Sequence, residues 1–167
     1  KYDPSRSYSV IAIDVADFGK YNNQFGQDTG DDALSILGEV LPAVVRTDDA
    51  QHDERRAIPT NDAAAVRLGG DEFLLFVDLD HLPEDQLEGV VQAVQARLVS
   101  RYETAGKGRI PTIPRLRMVH VYNEVGEPFV DFFKRANASI HTMKAEQKAA
   151  EARARMDYFA GTCISFS

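Results

Sequence analysis

Between Tyr8 and Asp14 the chain is apolar at almost every position and then meets a carboxylate. A continuous run of that length reads as a strand buried on both faces. A short helix is predicted from about Ala16 to Gln24. Gly26 and Gly30 punctuate a turn before a second helix, whose Leu34, Leu37, Leu41 and Val44 recur at helical spacing. Residues 47–62, with Asp48, Asp49, Asp53, Glu54, Arg55, Arg56 and Pro59, read as a polar insertion or exposed loop. Ala63 to Leu68 and Glu72 to Asp78 form a hairpin about Gly69 and Gly70. A long helix follows Pro83, with Leu87, Val90, Val91, Val94 and Leu98 inward. A polar link at Ala105 to Arg109 leads to a strand at Leu116 to Tyr122. Phe129 opens a helix through Ala150 or beyond, and Tyr158 to Phe166 reads as a closing strand. The order βααββαβαβ predicts an α+β domain, an α/β sandwich on a mixed, mainly antiparallel central sheet flanked by helices.

With 167 residues, 44% of them hydrophobic, the chain can bury one substantial core, so 1–167 reads as a single domain. The formal net charge of -7 argues against nucleic acid or an anionic membrane as a partner, while a divalent cation in the site can still draw a triphosphate. Cys163 is the lone cysteine, which excludes an internal disulfide, and the four histidines lack metal-ligand spacing. No apolar run reaches the length of a membrane span and no signal peptide opens the chain, so a cytoplasmic protein without direct membrane contact is expected. The first residue is Lys1 rather than Met, which suggests a segment of a longer protein with a sensory or regulatory domain upstream.

The chemistry concentrates at Gly69-Gly70-Asp71-Glu72-Phe73. Two glycines let the backbone of a hairpin turn approach a ligand closely, and two acids follow at once. A second strand ends in Asp14, so two strand ends can supply Asp14 and Glu72 to one divalent-cation site, for which Mg²⁺ (or Mn²⁺) suits the hard oxygen donors. The competing reading is an exposed turn with a solvated charge pair.

These residues carry a resemblance. Gly69 to Phe73 reproduces without substitution the name-giving motif of the GGDEF family, the catalytic module of diguanylate cyclases, and Ile13 to Leu34 is similar to that family's first signature. The resemblance implies a palm-like fold and the condensation of two GTP into cyclic di-GMP across a homodimer, in bacterial signalling. It implies Asp14, Glu72 and the backbone carbonyl of Val15 as metal ligands, with Asp71 and Glu72 catalytic. Asn22 and Asp31 fall where the family reads guanine, a role that can coexist with Asp31 capping the second helix. The backbone at Asp17 and Phe18, with Lys144 and Lys148, falls where the family binds phosphate.

The departures are as specific as the matches. One usual lysine is Gly19, a usual second acid is Ala16, and an Asp and a His are replaced by Asn23 and Gln27. Lys148 replaces an Arg, and the Ser-Ile-Gly strand survives only as Met118-Val119-His120. Arg46 and Asp49 fit the Arg-x-x-Asp pattern of the family's product-inhibition site, or else a helix-end arginine before a solvated loop. Two other readings stay open: a degenerate domain that binds GTP or cyclic di-GMP and signals by contact, and a divergent nucleotidyl cyclase with another product.

Overall fold

The computed structural model of the chain describes residues 2–44 and 63–163. Its elements are β1 (Tyr8–Val15), α1 (Phe18–Phe25), α2 (Gln27–Val44), β2 (Ala63–Gly69), β3 (Glu72–Asp78), α3 (Leu87–Gly106), β4 (Leu116–Tyr122) and α4 (Phe129–Cys163), with one 3₁₀ turn at Glu84–Gln86 before α3. The strands form one sheet in the order β2-β3-β1-β4. Every pairing among them is antiparallel, in keeping with the mainly antiparallel sheet expected.

β1 lies at the centre, and its period of two divides the molecule. Ile11, Ile13 and Val15 face the large core built with α2 and α3. Val10 and Ala12 face the other way, into a smaller core with Leu74 and with Phe132, Ala136 and Ile140 of α4. Both faces are covered, which is why the sequence of β1 is apolar throughout rather than alternating.

Gly30 does not break the chain. It lies within α2, where a Cβ would come 1.9 Å from Oδ1 of Asn22 and 3.1 Å from Cζ of Phe18. The glycine permits α1 and α2 to cross closely, and the turn is confined to Gly26 at φ 91. Asp31 is therefore inside the helix and does not cap it.

The expected closing strand at Tyr158 to Phe166 is also corrected, because α4 continues to Cys163. From Ala145 to Arg155 the sequence holds only Ala, Glu, Gln, Lys and Arg, all strong helix formers. Gln147 also donates to Glu151 at 3.0 Å along the helix, so nothing stops the helix before the aromatic pair. The polar insertion 47–62 and the Arg46 and Asp49 pair lie outside the described residues.

Candidate active site

The hairpin turn is built for a tight approach. Gly70 has φ 53 and Gly69 φ 155, a left-handed and a positive-φ extended conformation that glycine adopts without a Cβ penalty. Register slips by one residue between Arg67 and Gly69, and Arg67 fastens the turn with Nε and Nη2 donating to the Gly70 carbonyl at 3.0 and 2.7 Å. The turn then docks on β1, where the Val15 N–H donates to the Asp71 carbonyl at 3.2 Å.

Register places the chemistry. Asp14 lies directly opposite Glu72 on one side and Arg117 on the other. Residues directly opposite on neighbouring strands project from the same face, so Glu72, Asp14 and Arg117 form one row across three strands. That face is the one α4 covers. The buried stripe Phe132, Ala136 and Ile140 continues by four residues to Lys144, which arrives over the end of the row.

The Lys144 ammonium sits among the acids. It is 2.6 Å from Asp14 Oδ1, 2.9 Å from Glu72 Oε1 and 3.8 Å from Asp71 Oδ1. Arg117 takes the other Asp14 oxygen, with Nη1 3.2 Å from Oδ2, and its Nη2 reaches Asp17 Oδ2 at 3.4 Å. Asp14 is only 1% exposed. Burial raises its pKa and Asp71 adds to the rise, while Lys144 and Arg117 act against it. Burial works against the Lys144 ammonium too, but its contacts with the Asp14 and Glu72 carboxylates outweigh it and hold that pKa above the usual lysine range.

The donor set suits a hard divalent cation. Three carboxylates already converge on one cation, and Asp14 Oδ1 is buried without an aligned hydrogen bond, so it can accept a metal ion. Among the described residues, no group of three or more acids, histidines or cysteines stands arranged to hold a metal. The ammonium holds these three together instead.

Beside the row, Asp17 adopts left-handed geometry (φ 54, ψ 33) as the residue before α1 and makes no side-chain cap. The first N–H groups of α1 therefore have neither an intrahelical acceptor nor a cap. Asp17 is instead paired with Lys20 at 2.8 Å, and this hydrogen bond is the main reason its pKa lies low. A cavity of about 370 Å³ joins this turn, at Asp17 and Phe18, to Asp14, Asp71, Arg117 and Lys144. Val15 and Lys148 also line it.

The guanine candidates lie elsewhere. Asp31 lines a second cavity, of about 720 Å³, with Leu34, Ser35, Arg67 and Phe73. Asn22 lines neither cavity, and its Oδ1 is buried and unpaired against Gly30. Arg67 and Phe73, which flank the hairpin turn, line this second cavity, whereas Asp71 of the turn lines the first. Arg117 is the residue that sequence reading missed. A single basic residue between Leu116 and Met118 in an apolar strand was its only signal, and strand register is what gives it meaning.

Comparison with known proteins places this geometry. The family model described as "Diguanylate cyclase, GGDEF domain" matches residues 2–53. A cyclic di-GMP phosphodiesterase, NbdA of Pseudomonas aeruginosa, is 25% identical over 142 residues, covering 84% of this chain and 16% of the relative. A diguanylate cyclase, DgcS of Shewanella oneidensis, is 31% identical over 71 residues, 42% of this chain and 19% of the relative. The chain thus spans less than a fifth of either curated relative. Among solved structures, the GGDEF domain of DgcB from Caulobacter crescentus, in complex with c-di-GMP, superposes with a TM-score of 0.56 at 15% identity, covering 85% of this chain and 72% of that one. Diguanylate cyclase SiaD of Pseudomonas aeruginosa, bound to its activator SiaC, gives 0.54 at 20%, covering 84% and 47%. These two share the palm-like α+β fold. The family model ends before the hairpin, and the unsubstituted Gly69 to Phe73 turn pairs in register with β1, which lies inside that match; the first third of the chain is thus similar to the GGDEF domain, and the fold is shared with solved GGDEF domains.

Proposed function

We propose that this domain is a diguanylate cyclase, condensing two GTP into cyclic di-GMP and two pyrophosphates. The observation that carries the reading is the convergence of Asp14, Asp71 and Glu72 on one cation beside the open N-terminus of α1. Asp14, Glu72 and the Val15 carbonyl would hold a divalent cation, Mg²⁺ or Mn²⁺, which supplies charge neutralisation at the α-phosphate and acidifies the attacking hydroxyl. Asp71 is the second acid at the turn. The free N–H groups at Phe18 and beyond, with Lys144 and Lys148, receive the phosphates. Asp31 accepts the N1–H and amino donors of guanine, which adenine lacks on that edge, and Asn22 supplies an amide to the same base.

Each 3′-oxygen attacks the α-phosphorus of the other nucleotide, the α–β bridge breaks and pyrophosphate leaves. One domain holds one GTP, so closing the ring takes two domains face to face. Homodimerisation is part of the mechanism.

The test incubates concentrated protein with GTP and Mg²⁺, and separately with ATP plus GTP, and identifies products by chromatography and mass spectrometry. Cyclic di-GMP that vanishes in Glu72→Gln, with a rate rising faster than linearly with protein concentration, is the expected result. Strict proportionality down to high dilution would refute the dimer. A second reading, a domain that binds GTP or cyclic di-GMP and signals by contact, is favoured by the ammonium seated among the acids and by Gly19 and Ala16. Binding without product would establish it, and a linear or mixed product would point to a divergent nucleotidyl cyclase.

A further inference from the structure

Arg117 bridges two acids that lie on different elements. From β4 it reaches the last acid of β1 and the residue that begins α1, donating to Asp14 Oδ2 at 3.2 Å and to Asp17 Oδ2 at 3.4 Å. Its side chain is 16% exposed, against 72% for Lys20, the other partner of Asp17. The planar fork reaches both carboxylates at once from an anchored strand, while Lys20 offers a mobile point charge.

The geometry points to Arg117 as a positioning residue that aims the metal-binding oxygen of Asp14 and fixes the phosphate-facing turn at Asp17. The inference rests on the metal-nucleotide reading of this cluster and deepens it. With the guanidinium on Oδ2, the other Asp14 oxygen meets Lys144, whose ammonium also meets Glu72 and Asp71. A carboxylate held at its outer oxygen presents the inner one in a fixed direction, and loss of such an outer partner typically weakens metal binding about 10- to 100-fold.

The second contact acts on the backbone. Asp17 holds φ 54 without being glycine, a conformation Asp tolerates but does not prefer, and Arg117 pins it from below. The turn it fixes, at Asp17 and Phe18, lines the cavity. Arg117 also lines the same cavity as Lys144 and Lys148.

The sign of the effect separates positioning from simple charge. If Arg117 acted only as a nearby positive charge, removing it would tighten the binding of a divalent cation. If it aims Asp14 and the turn, removal weakens that binding, and so does Arg117→Lys, which keeps the charge but cannot bridge both acids. The experiment titrates the whole chain, with Arg117→Gln and Arg117→Lys beside it, with Mn²⁺ in the presence of a GTP analogue carrying a non-cleavable α–β bridge. Calorimetry reads the affinity and thermal melting reads the fold.

The expected result is a cooperative melt for each variant and affinities about 10- to 100-fold below the parent, with Lys the milder change. Parental or tighter binding in either folded variant overturns the inference and leaves the nucleotide reading standing. Should Arg117→Gln fail to melt cooperatively, Arg117→Lys decides by the same criterion. A parent chain that binds no Mn²⁺ with the analogue overturns the nucleotide reading, and the inference with it.

Discussion

Lys144 holds the place between the acids that a divalent cation needs, so replacing it with Met should move two affinities in opposite directions. The gross attraction follows from the three distances, 2.6, 2.9 and 3.8 Å. Even in the dielectric of water, Coulomb's law gives about 4 kcal/mol for their sum. Most of that is recovered when the ammonium leaves, because a side chain already 32% exposed rehydrates readily and the pairs are screened. A residue of about 1–2 kcal/mol is left as the cost a metal ion meets in displacing it. Lys144→Met should therefore bind Mn²⁺ alone about 5- to 30-fold more tightly than the parent.

With a triphosphate present the sign reverses, since the displaced ammonium then serves the phosphates and the variant has nothing to offer them. Mn²⁺ titrations by electron paramagnetic resonance, with and without the non-cleavable GTP analogue, read both arms. Tighter binding alone and weaker binding of the metal-nucleotide pair is the expected pattern. Unchanged or weaker binding of Mn²⁺ alone would refute the reasoning, because the ammonium would then not be competing for the acids.

Other outcomes follow from the packing. Gly30→Ala places a methyl 1.9 Å from Asn22 Oδ1, so Asn22 must rotate away; a stability loss of about 1–3 kcal/mol with weakened GTP binding is expected in urea unfolding and nucleotide titration. Ile140→Ala removes a fully buried side chain from the smaller core and should cost about 2–5 kcal/mol by the same unfolding assay. Glu127 accepts from Arg135 through both oxygens at 2.8 and 2.7 Å, and this pairing is the main cause that holds its pKa below the ordinary glutamate value. Its contribution is therefore full above that value and lost as pH falls through the lowered one. The unfolding free energy of Glu127→Gln from urea titration should lie below the parent's by about 1–2 kcal/mol at pH 7 and converge with it in acid.

Much of this was legible in the sequence, for physical reasons that differ by element. β1 announced itself because both its faces are buried, and the hairpin did so because two glycines precede two acids. Phe132, Ala136 and Ile140 mark a helix by their spacing, yet nothing in that spacing says that Lys144, the next member of the stripe, lands on the acids rather than on a phosphate. Gly30 misled, because a glycine that makes room for a neighbouring helix is written the same way as one that ends a helix. The aromatic run after Met156 misled in the opposite sense, since β-favouring side chains do not stop a helix that Ala and charged residues have already carried to them. Arg117 was invisible because a strand's own sequence does not state its register.

Register is also what makes the site a single object. Sliding β4 by one residue would turn Arg117 toward the large core and bring Met118 or Leu116 opposite Asp14, leaving a buried carboxylate without its guanidinium. The smaller core opposes such a slip, because Val119 and Val121 pack with Val10 and Ala12 only in the observed pairing. The same residues hold α4 on the sheet and so deliver Lys144. Apolar packing under α4 thus sets the distances among the charges at its edge. A cluster of three acids and two cations, costly to assemble in isolation, is held in place by valines and an isoleucine that carry no chemistry of their own.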